Sequence, residues 1–369
     1  MGTYQFFPVD RVVYDVPAAR AVADAAAAMG ARRPFVVTTR SQAAAAATLP
    51  AAEVFDRARQ HTPLPAVLEA LARARALGPD MIVSFGGGSA MDTAKMVVHA
   101  LARGLRDADA IRAAETRTAG PAVPSVPLVV VPTTLSGSEW TWVAGMTDPE
   151  AGRKLIYVAR EIAPTLVVLD PAVAAATPVG LWLSTGIKGI DHAVEALCSR
   201  NPIPWIRATN LEALRLFAGS LKRTLAAPGD GRARLDGLFA TWLTSTGMIR
   251  GLYGACHALS WVLGARCGVG HGVASAIMLP AVLRYNAAAI GDAGPAIAAA
   301  LGMPDATADA AVGGLVQALG LPTRLRDAGI ARIALPGLAA GAVGTHYLET
   351  NPRPITEAGQ ILAILEDAW

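Results

Sequence analysis

The feature that most restricts this chain is a series of short apolar runs set between alanine-rich stretches of helical pattern. Val16–Met29 reads as a helix, Phe35-Val36-Val37-Thr38-Thr39 as a strand and Leu64–Leu77 as a helix. Met81–Phe85 is the next strand, Ala90–Leu101 the next helix and Pro127–Pro132 a third strand, and Leu166–Pro171 closes the series. Strands that are apolar throughout and alternate with helices point to a parallel sheet covered on both faces, since such strands have no polar face to show water. Beyond Pro171 the pattern changes to alanine- and leucine-rich helical segments broken by Gly and Pro, with no convincing strand. The boundary is expected near Ala174, giving an α/β domain over residues 1–174 and a helical domain over residues 175–369. A chain of 369 residues is more than one core usually fills, which agrees with that division.

Bulk composition removes several functional classes. With 53% apolar and 17% charged residues, the chain is not disordered. Its two most apolar stretches, Gly251–Ala265 and Cys267–Leu283, are each shorter than a bilayer span, contain His257 and His271, and are separated by Arg266. They read as buried core helices, so no membrane partner is expected. The net charge is +3, without a block of basic residues or an aromatic-interleaved basic stripe, so nucleic acid is not an expected partner. The N-terminal Met1-Gly2-Thr3-Tyr4-Gln5-Phe6 lacks the charged and apolar regions of a signal peptide. Cys198, Cys256 and Cys267 are odd in number and lie in apolar surroundings, as reduced thiols in the core of a cytoplasmic protein would. Lysine plus arginine total 32, yet only Lys95, Lys154, Lys188 and Lys222 are lysines, so each invites a reason.

Gly86-Gly87-Gly88-Ser89 stands between a predicted strand and a predicted helix. Glycines there let backbone N–H groups approach a phosphate without interference from Cβ, and a helix N-terminus adds partial positive charge. Ser89 is placed to cap that helix, with Asp92 three residues on in the spacing of a capping box. By itself the loop is equally a tight turn of the kind any doubly wound domain needs. Pro132-Thr133-Thr134-Leu135-Ser136-Gly137-Ser138-Glu139 adds a cluster of hydroxyls at the carboxyl end of the next strand, where open α/β sheets bind ligands. It too has a simpler reading, a hydroxyl-rich loop that caps the following helix.

In the second half, Thr185–Leu197 reads as a helix in which Lys188 and His192, four apart, share a face. His257 and His271 lie in the two most apolar stretches, surroundings in which a metal site or a substrate pocket could be built. A single buried histidine is ordinarily a hydrogen-bonded core residue, whereas three with a lysine call for another account. His61, His99 and His346 lack that context and are expected at the surface or without a role.

Taken together, Gly86–Lys95, Pro132-Thr133-Thr134 with Gly137-Ser138-Glu139, Gly270-His271-Gly272-Val273-Ala274 and Met278-Leu279-Pro280 resemble the motifs of the iron-containing alcohol dehydrogenase superfamily. The N-terminal region and Asn351-Pro352-Arg353-Pro354-Ile355-Thr356 look more like its maleylacetate reductase branch. The resemblance implies a Rossmann-like N-terminal domain, an all-helical C-terminal domain, and hydride transfer from NAD(P)H in the cleft between them. It places the cofactor on Thr39, Arg40, Gly86, Gly87, Gly88, Ser89, Asp92, Thr133, Thr134, Ser138 and Lys154, and it favours a homodimer. It also implies a metal held by one aspartate and three histidines. The matching positions here are Lys188, His192, His257 and His271, and a further histidine of many members is replaced by Trp261.

An ammonium cannot ligate a divalent cation and repels it, and the reductase branch is regarded as metal-independent. The expectation is therefore that Lys188 supplies the metal's charge and stabilises the alkoxide formed by hydride transfer. His192, His257 or His271 would relay a proton or bind a substrate carboxylate. The bland reading has Lys188 neutralising Asp191 or Glu195 at a surface turn. Trp140 and Trp261 are expected to narrow the cleft. Thr38-Thr39-Arg40 lacks the acidic residue that selects against a 2′-phosphate, so NADPH, or both cofactors, is expected. The reading is an NAD(P)H-dependent reductase of a small carbonyl or enone. Its rivals are a metal-dependent alcohol dehydrogenase using three histidines, a non-redox lyase or cyclase on the dehydroquinate synthase-like architecture, and a binding protein without turnover.

Overall fold

The computed structural model describes residues 4–200 and 203–369. The chain divides into two compact units between Thr177 and Pro178, slightly beyond the expected Ala174. The difference has a local cause. Asp170 caps the short helix after the last strand and accepts a hydrogen bond from Ala18 N at 2.7 Å, while Thr177 Oγ1 donates to Thr133 O at 2.6 Å. Both interactions keep that helix in the first unit.

The first unit runs β1 (Arg11–Tyr14), α1 (Ala18–Met29), β2 (Pro34–Val37), α2 (Ala43–Ala46), β3 (Glu53–Phe55), α3 (Leu64–Leu77), β4 (Met81–Gly86), α4 (Gly88–Ala102), α5 (Ala108–Ala113), β5 (Leu128–Pro132), β6 (Val143–Asp148), β7 (Arg153–Val158), β8 (Leu166–Leu169) and α6 (Pro171–Ala175). Six strands form a parallel sheet in the order β1-β8-β5-β4-β2-β3, and β6 and β7 form an antiparallel hairpin. The central strands are buried on both faces. Val36, Val83, Val129 and Val168 pack with the alanine face of α1, and Phe35, Val37, Ile82 and Val130 with Ala70, Ala74, Ala94 and Val97 of α3 and α4. Because β2, β4 and β5 are neighbours, the loops that leave their carboxyl ends lie at one edge of the sheet. Gly86 is in register with Pro132.

Three features differ from the sequence expectation. The edge strands β1 and β3 are too short to stand out as apolar runs, and the hairpin β6–β7 carries Arg153 and Lys154 in its second strand. Thr38 and Thr39 lie just past the end of β2.

The second unit is helical: α7 (Val179–Cys198), α8 (Pro204–Ala226), α9 (Gly231–Met248), α10 (Ala255–Cys267), α11 (His271–Asn286), α12 (Ala293–Ala300), α13 (Ala308–Ala318), α14 (Leu335–Ala342), α15 (His346–Thr350) and α16 (Ala358–Asp367). From Gly186 onward α7 is buried except at Lys188, and α8, α9 and α11 all pack against this helix. Among the described residues no helix is long and apolar enough to cross a membrane.

Candidate active site

In the first unit the glycine loop is built around Gly86, whose φ of 152° lies in the region that favours glycine. A Cβ there would stand 2.8 Å from that of Ala90, and one at Gly87 would stand 3.0 Å from the side chain of Thr134. The loop is therefore pressed between its own helix and the hydroxyl-rich segment after β5. Gly87, not Ser89, is the N-cap of α4, and it makes no side-chain capping hydrogen bond. This corrects the expected capping box. The helix begins earlier than the sequence suggests, so Ser89 falls inside its first turn, where its carbonyl accepts from Thr93 Oγ1 at 2.8 Å.

Asp92 faces the hydroxyl-rich loop and the hairpin instead. It accepts from Ser138 Oγ at 2.7 Å and from Gly145 N at 3.2 Å, and Lys154 of β7 crosses over Gly145 toward it. Lys95, one turn further along α4, is fully buried. Its Nζ donates to the carbonyls of Ser138, Thr141 and Val143 at 2.6, 2.7 and 3.0 Å, and burial brings its pKa down to about 8. Thr133 and Thr134 are buried, and Thr133 N donates to Gly86 O at 3.0 Å. Thr39 is half-buried, with Oγ1 at 3.1 Å from Ser41 Oγ, and Arg40 is exposed at the start of a short 3-10 turn.

Two residues of this region were not singled out in the sequence. His61 and Thr62 are consecutive residues with φ of 62° and 49°, a strained conformation for side chains with a Cβ. Their carbonyls accept hydrogen bonds from Thr147 of the hairpin, and Thr62 Oγ1 reaches Ser89 O at 3.4 Å. Burial and Lys154 both lower the His61 pKa. The sequence offered at His61 only an isolated histidine, expected at the surface or without a role, and nothing at Thr62. Trp140 is buried, 1% exposed. Two other expectations are corrected. His99 is buried, with Nδ1 at 3.1 Å from Glu161 Oε1, which also accepts from Arg103 Nε at 2.5 Å. Cys267 is exposed at the end of α10, whereas Cys198 and Cys256 are buried.

In the second unit α7, α10 and α11 bring the expected residues together. His192 on α7 and His257 on α10 have ring centroids 5.8 Å apart, and His257 and His271 are 5.0 Å apart. Trp261 stands 6.4 Å from His257. Sequence reading missed Tyr253 and Tyr347. Tyr253 stacks on His257 at 4.3 Å and 15°, and Tyr347 meets His257 edge-on at 5.1 Å. Their periodicity carried no signal, because both lie in or beside short connecting segments. Lys188 is in the middle of α7 and half-buried, not at a surface turn. Burial pushes the His192 pKa well below the usual value, and the Lys188 and His257 charges push the same way. His192 is therefore a neutral imidazole at pH 7.

The groups at the positions that the resemblance gave to a metal do not make a complete ligand set. Lys188 offers no lone pair while charged, and its field reaches His192. Among the described residues, the side chains whose ligand atoms converge within 4.8 Å are Asp191, Glu195 and His257, all buried. Desolvation raises the Asp191 pKa to about 6 and that of Glu195 well above its usual value.

Comparison with known proteins identifies the family and the fold. Residues 9–171 match the model of the iron-containing alcohol dehydrogenase family, and residues 182–369 match that of its C-terminal region. The chain belongs to the iron-containing alcohol dehydrogenase family. It is an oxidoreductase of that family with the family's fold, a parallel-sheet unit followed by a helical one. It is 31% identical over 367 residues to the maleylacetate reductase of Burkholderia cepacia, covering 98% of this chain and 96% of that protein. With the maleylacetate reductase of Sphingobium indicum the identity is 32% over 358 residues, covering 95% and 92%. The crystal structure of a putative alcohol dehydrogenase from Ralstonia eutropha JMP134 superposes with a TM-score of 0.85 at 31% identity, covering 100% of this chain and 98% of that one.

Proposed function

We propose that the protein reduces a small carbonyl or enone substrate with NAD(P)H, in the manner of the maleylacetate reductases, without a catalytic metal. The observation that carries this reading is Lys188, half-buried in α7 one helical turn before neutral His192, at the position where the family's metal ligand is implied.

In the first unit the nucleotide would lie on Gly86–Ser89, with its phosphates at the start of α4. Thr133, Thr134 and Ser138 would supply hydroxyls. The fit is physical: a side chain at Gly86 or Gly87 would collide with Ala90 or Thr134 and force the loop out of shape, and the first turn of α4 has no side-chain cap to compete with a phosphate. When bound, a reduced nicotinamide supplies the hydride. Arg40, exposed beside Thr39, suits a 2′-phosphate, so Arg40→Ala should raise KM for NADPH and leave that for NADH unchanged.

In the second unit the Lys188 ammonium would hold the substrate oxygen. As the carbonyl carbon or the β-carbon of the enone accepts the hydride, the π electrons move to that oxygen, and the fixed positive charge stabilises the developing alkoxide or enolate. His192, buried and neutral, cannot neutralise this oxygen by charge, but it can pass a proton. Tyr253, Tyr347 and Trp261 give the site an aromatic wall suited to an unsaturated, planar substrate.

The experiment is a screen for NADPH and NADH oxidation by chelator-treated protein with aldehydes, oxo acids and unsaturated oxo dicarboxylates, maleylacetate among them. Turnover of an unsaturated oxo acid without metal is the expected result. Turnover that requires stoichiometric iron or zinc would favour the metal-dependent dehydrogenase reading. Rearrangement or elimination without net cofactor oxidation would favour a lyase, and nucleotide binding without turnover a binding protein.

A further inference from the structure

The reading above leaves two buried carboxylates of α7 without a task. Glu195 Oε1 accepts from Cys256 N at 2.9 Å and from His257 N at 3.3 Å. Ala255 N donates to Asn351 Oδ1 at 3.2 Å. Three consecutive N–H groups at the start of α10 are thus held by side chains from outside that helix. This is unusual in form, because a helix ordinarily supplies its own N-cap from the residue that precedes it. Here that residue is Gly254, and it has no alternative. A Cβ on it would stand 3.0 Å from both Glu195 Oε1 and Asn351 Oδ1.

Asn351 is itself fixed. Its amide exchanges hydrogen bonds with that of Asn286 at 2.7 and 3.0 Å, and its Nδ2 also donates to Arg353 O at 2.6 Å. Both asparagines are buried, and Asn286 is the last residue of α11. On the other side, Asp191 Oδ2 accepts from Ser275 Oγ at 2.8 Å, one turn after His271 on the same helix. The carboxylates of α7 and the asparagine that follows α15 therefore tie down the helices that carry His257 and His271.

We propose that Glu195 and Asn351 are positioning residues for His257, with Asp191 and Ser275 holding α11 and His271 in the same way. The network joins at short range the elements that carry Lys188, His192, His257 and His271. A hydride acceptor site is sensitive to such spacing, since a displacement of about 1 Å can cost on the order of a hundredfold in rate. Glu195 requires only an acceptor oxygen for this task. A glutamine offers one, whereas a carboxylate that ligates a cation is not replaced by an amide.

The kinetic side of this proposal rests on the reductase reading, so the test has an arm that needs no turnover. Full-length protein labelled with 15N-histidine is compared as wild type, Glu195→Gln, Glu195→Ala and Asn351→Ala, with ring signals assigned by single histidine replacements and bound metal measured in each. The proposal predicts that Glu195→Gln leaves the His257 signals in place. It predicts that Glu195→Ala and Asn351→Ala shift those signals and leave His99 unmoved. In turnover, kcat should fall about tenfold or more for the alanine variants with nucleotide KM unchanged, and Glu195→Gln should stay within about threefold of wild type. If Glu195→Ala does not fold, Asn351→Ala and Glu195→Gln carry the comparison. Unmoved His257 signals in Asn351→Ala overturn the proposal. So does a Glu195→Gln protein that loses a stoichiometric metal together with its activity. Absence of wild-type turnover would defeat the reductase reading while the histidine signals still decide the positioning role.

Discussion

Gly272 at the start of α11 is packed against the backbone of Ser184 on α7, so closely that a Cβ would stand 2.2 Å from the Ser184 carbonyl oxygen. The contact lies one residue from His271 and one helical turn from Lys188. Replacing Gly272 by alanine must push the two helices apart, because the obstacle is backbone and not a flexible side-chain end. Overpacking of this kind costs about 1–3 kcal/mol. Gly272→Ala should lower the unfolding temperature in calorimetry by several degrees and reduce kcat by more than the loss of stability alone explains.

Lys95 acts as a clasp on the hydroxyl-rich loop through three carbonyls of residues 138–143. Lys95→Met keeps the apolar stem and removes the donors. Each buried acceptor left without a partner costs about 1–3 kcal/mol. Nucleotide affinity, read by fluorescence titration, should weaken at least tenfold while histidine signals of the second unit do not change. Unchanged affinity would show that the loop holds its shape without the ammonium.

Asp191 gives a pH dependence with a definite sign. Its pKa rises from 3.8 to about 6 on folding, chiefly through desolvation. Between those values the folded chain keeps a proton that the unfolded chain has lost, so stability falls as pH rises through that window and stays reduced above it. Asp191→Asn retains an acceptor for Ser275 and removes the buried charge. Its unfolding temperature should exceed that of wild type at pH 8, with the gap closing toward pH 4. A gap of opposite sign would mean that the Lys188 charge outweighs desolvation at this position.

Much of the fold was readable because burial on both faces leaves strands almost wholly apolar, as in Met81–Phe85, where Ser84 is the one polar residue, and Leu128–Val131. The edge strands β1 and β3 were not readable, being only 4 and 3 residues long. The hairpin escaped notice because its second strand opens on Arg153 and Lys154, which are exposed. In the candidate site, Lys188, His192, His257 and His271 stood out as polar groups in apolar stretches. Glu195, Asn351, Tyr253 and Tyr347 did not. Their roles depend on contacts across 61 to 96 residues of sequence, as between Glu195 and Cys256 or Asn351 and Ala255, and no local pattern encodes such distances. The capping-box expectation at Ser89 failed for a related reason: the position of the helix start was decided by the extended Gly87 packed against Thr134.

The central claim is that the Lys188 ammonium does the work of a metal ion, and its most direct test compares Lys188→Met with wild type in single-turnover NADPH oxidation, with metal content measured on both. The claim predicts less than a tenth of a metal ion per chain in the active wild type and a chemical step slowed about a hundredfold or more in Lys188→Met, with nucleotide affinity unchanged. A stoichiometric metal in the active wild type, or a Lys188→Met protein that turns over as fast as wild type, would contradict it.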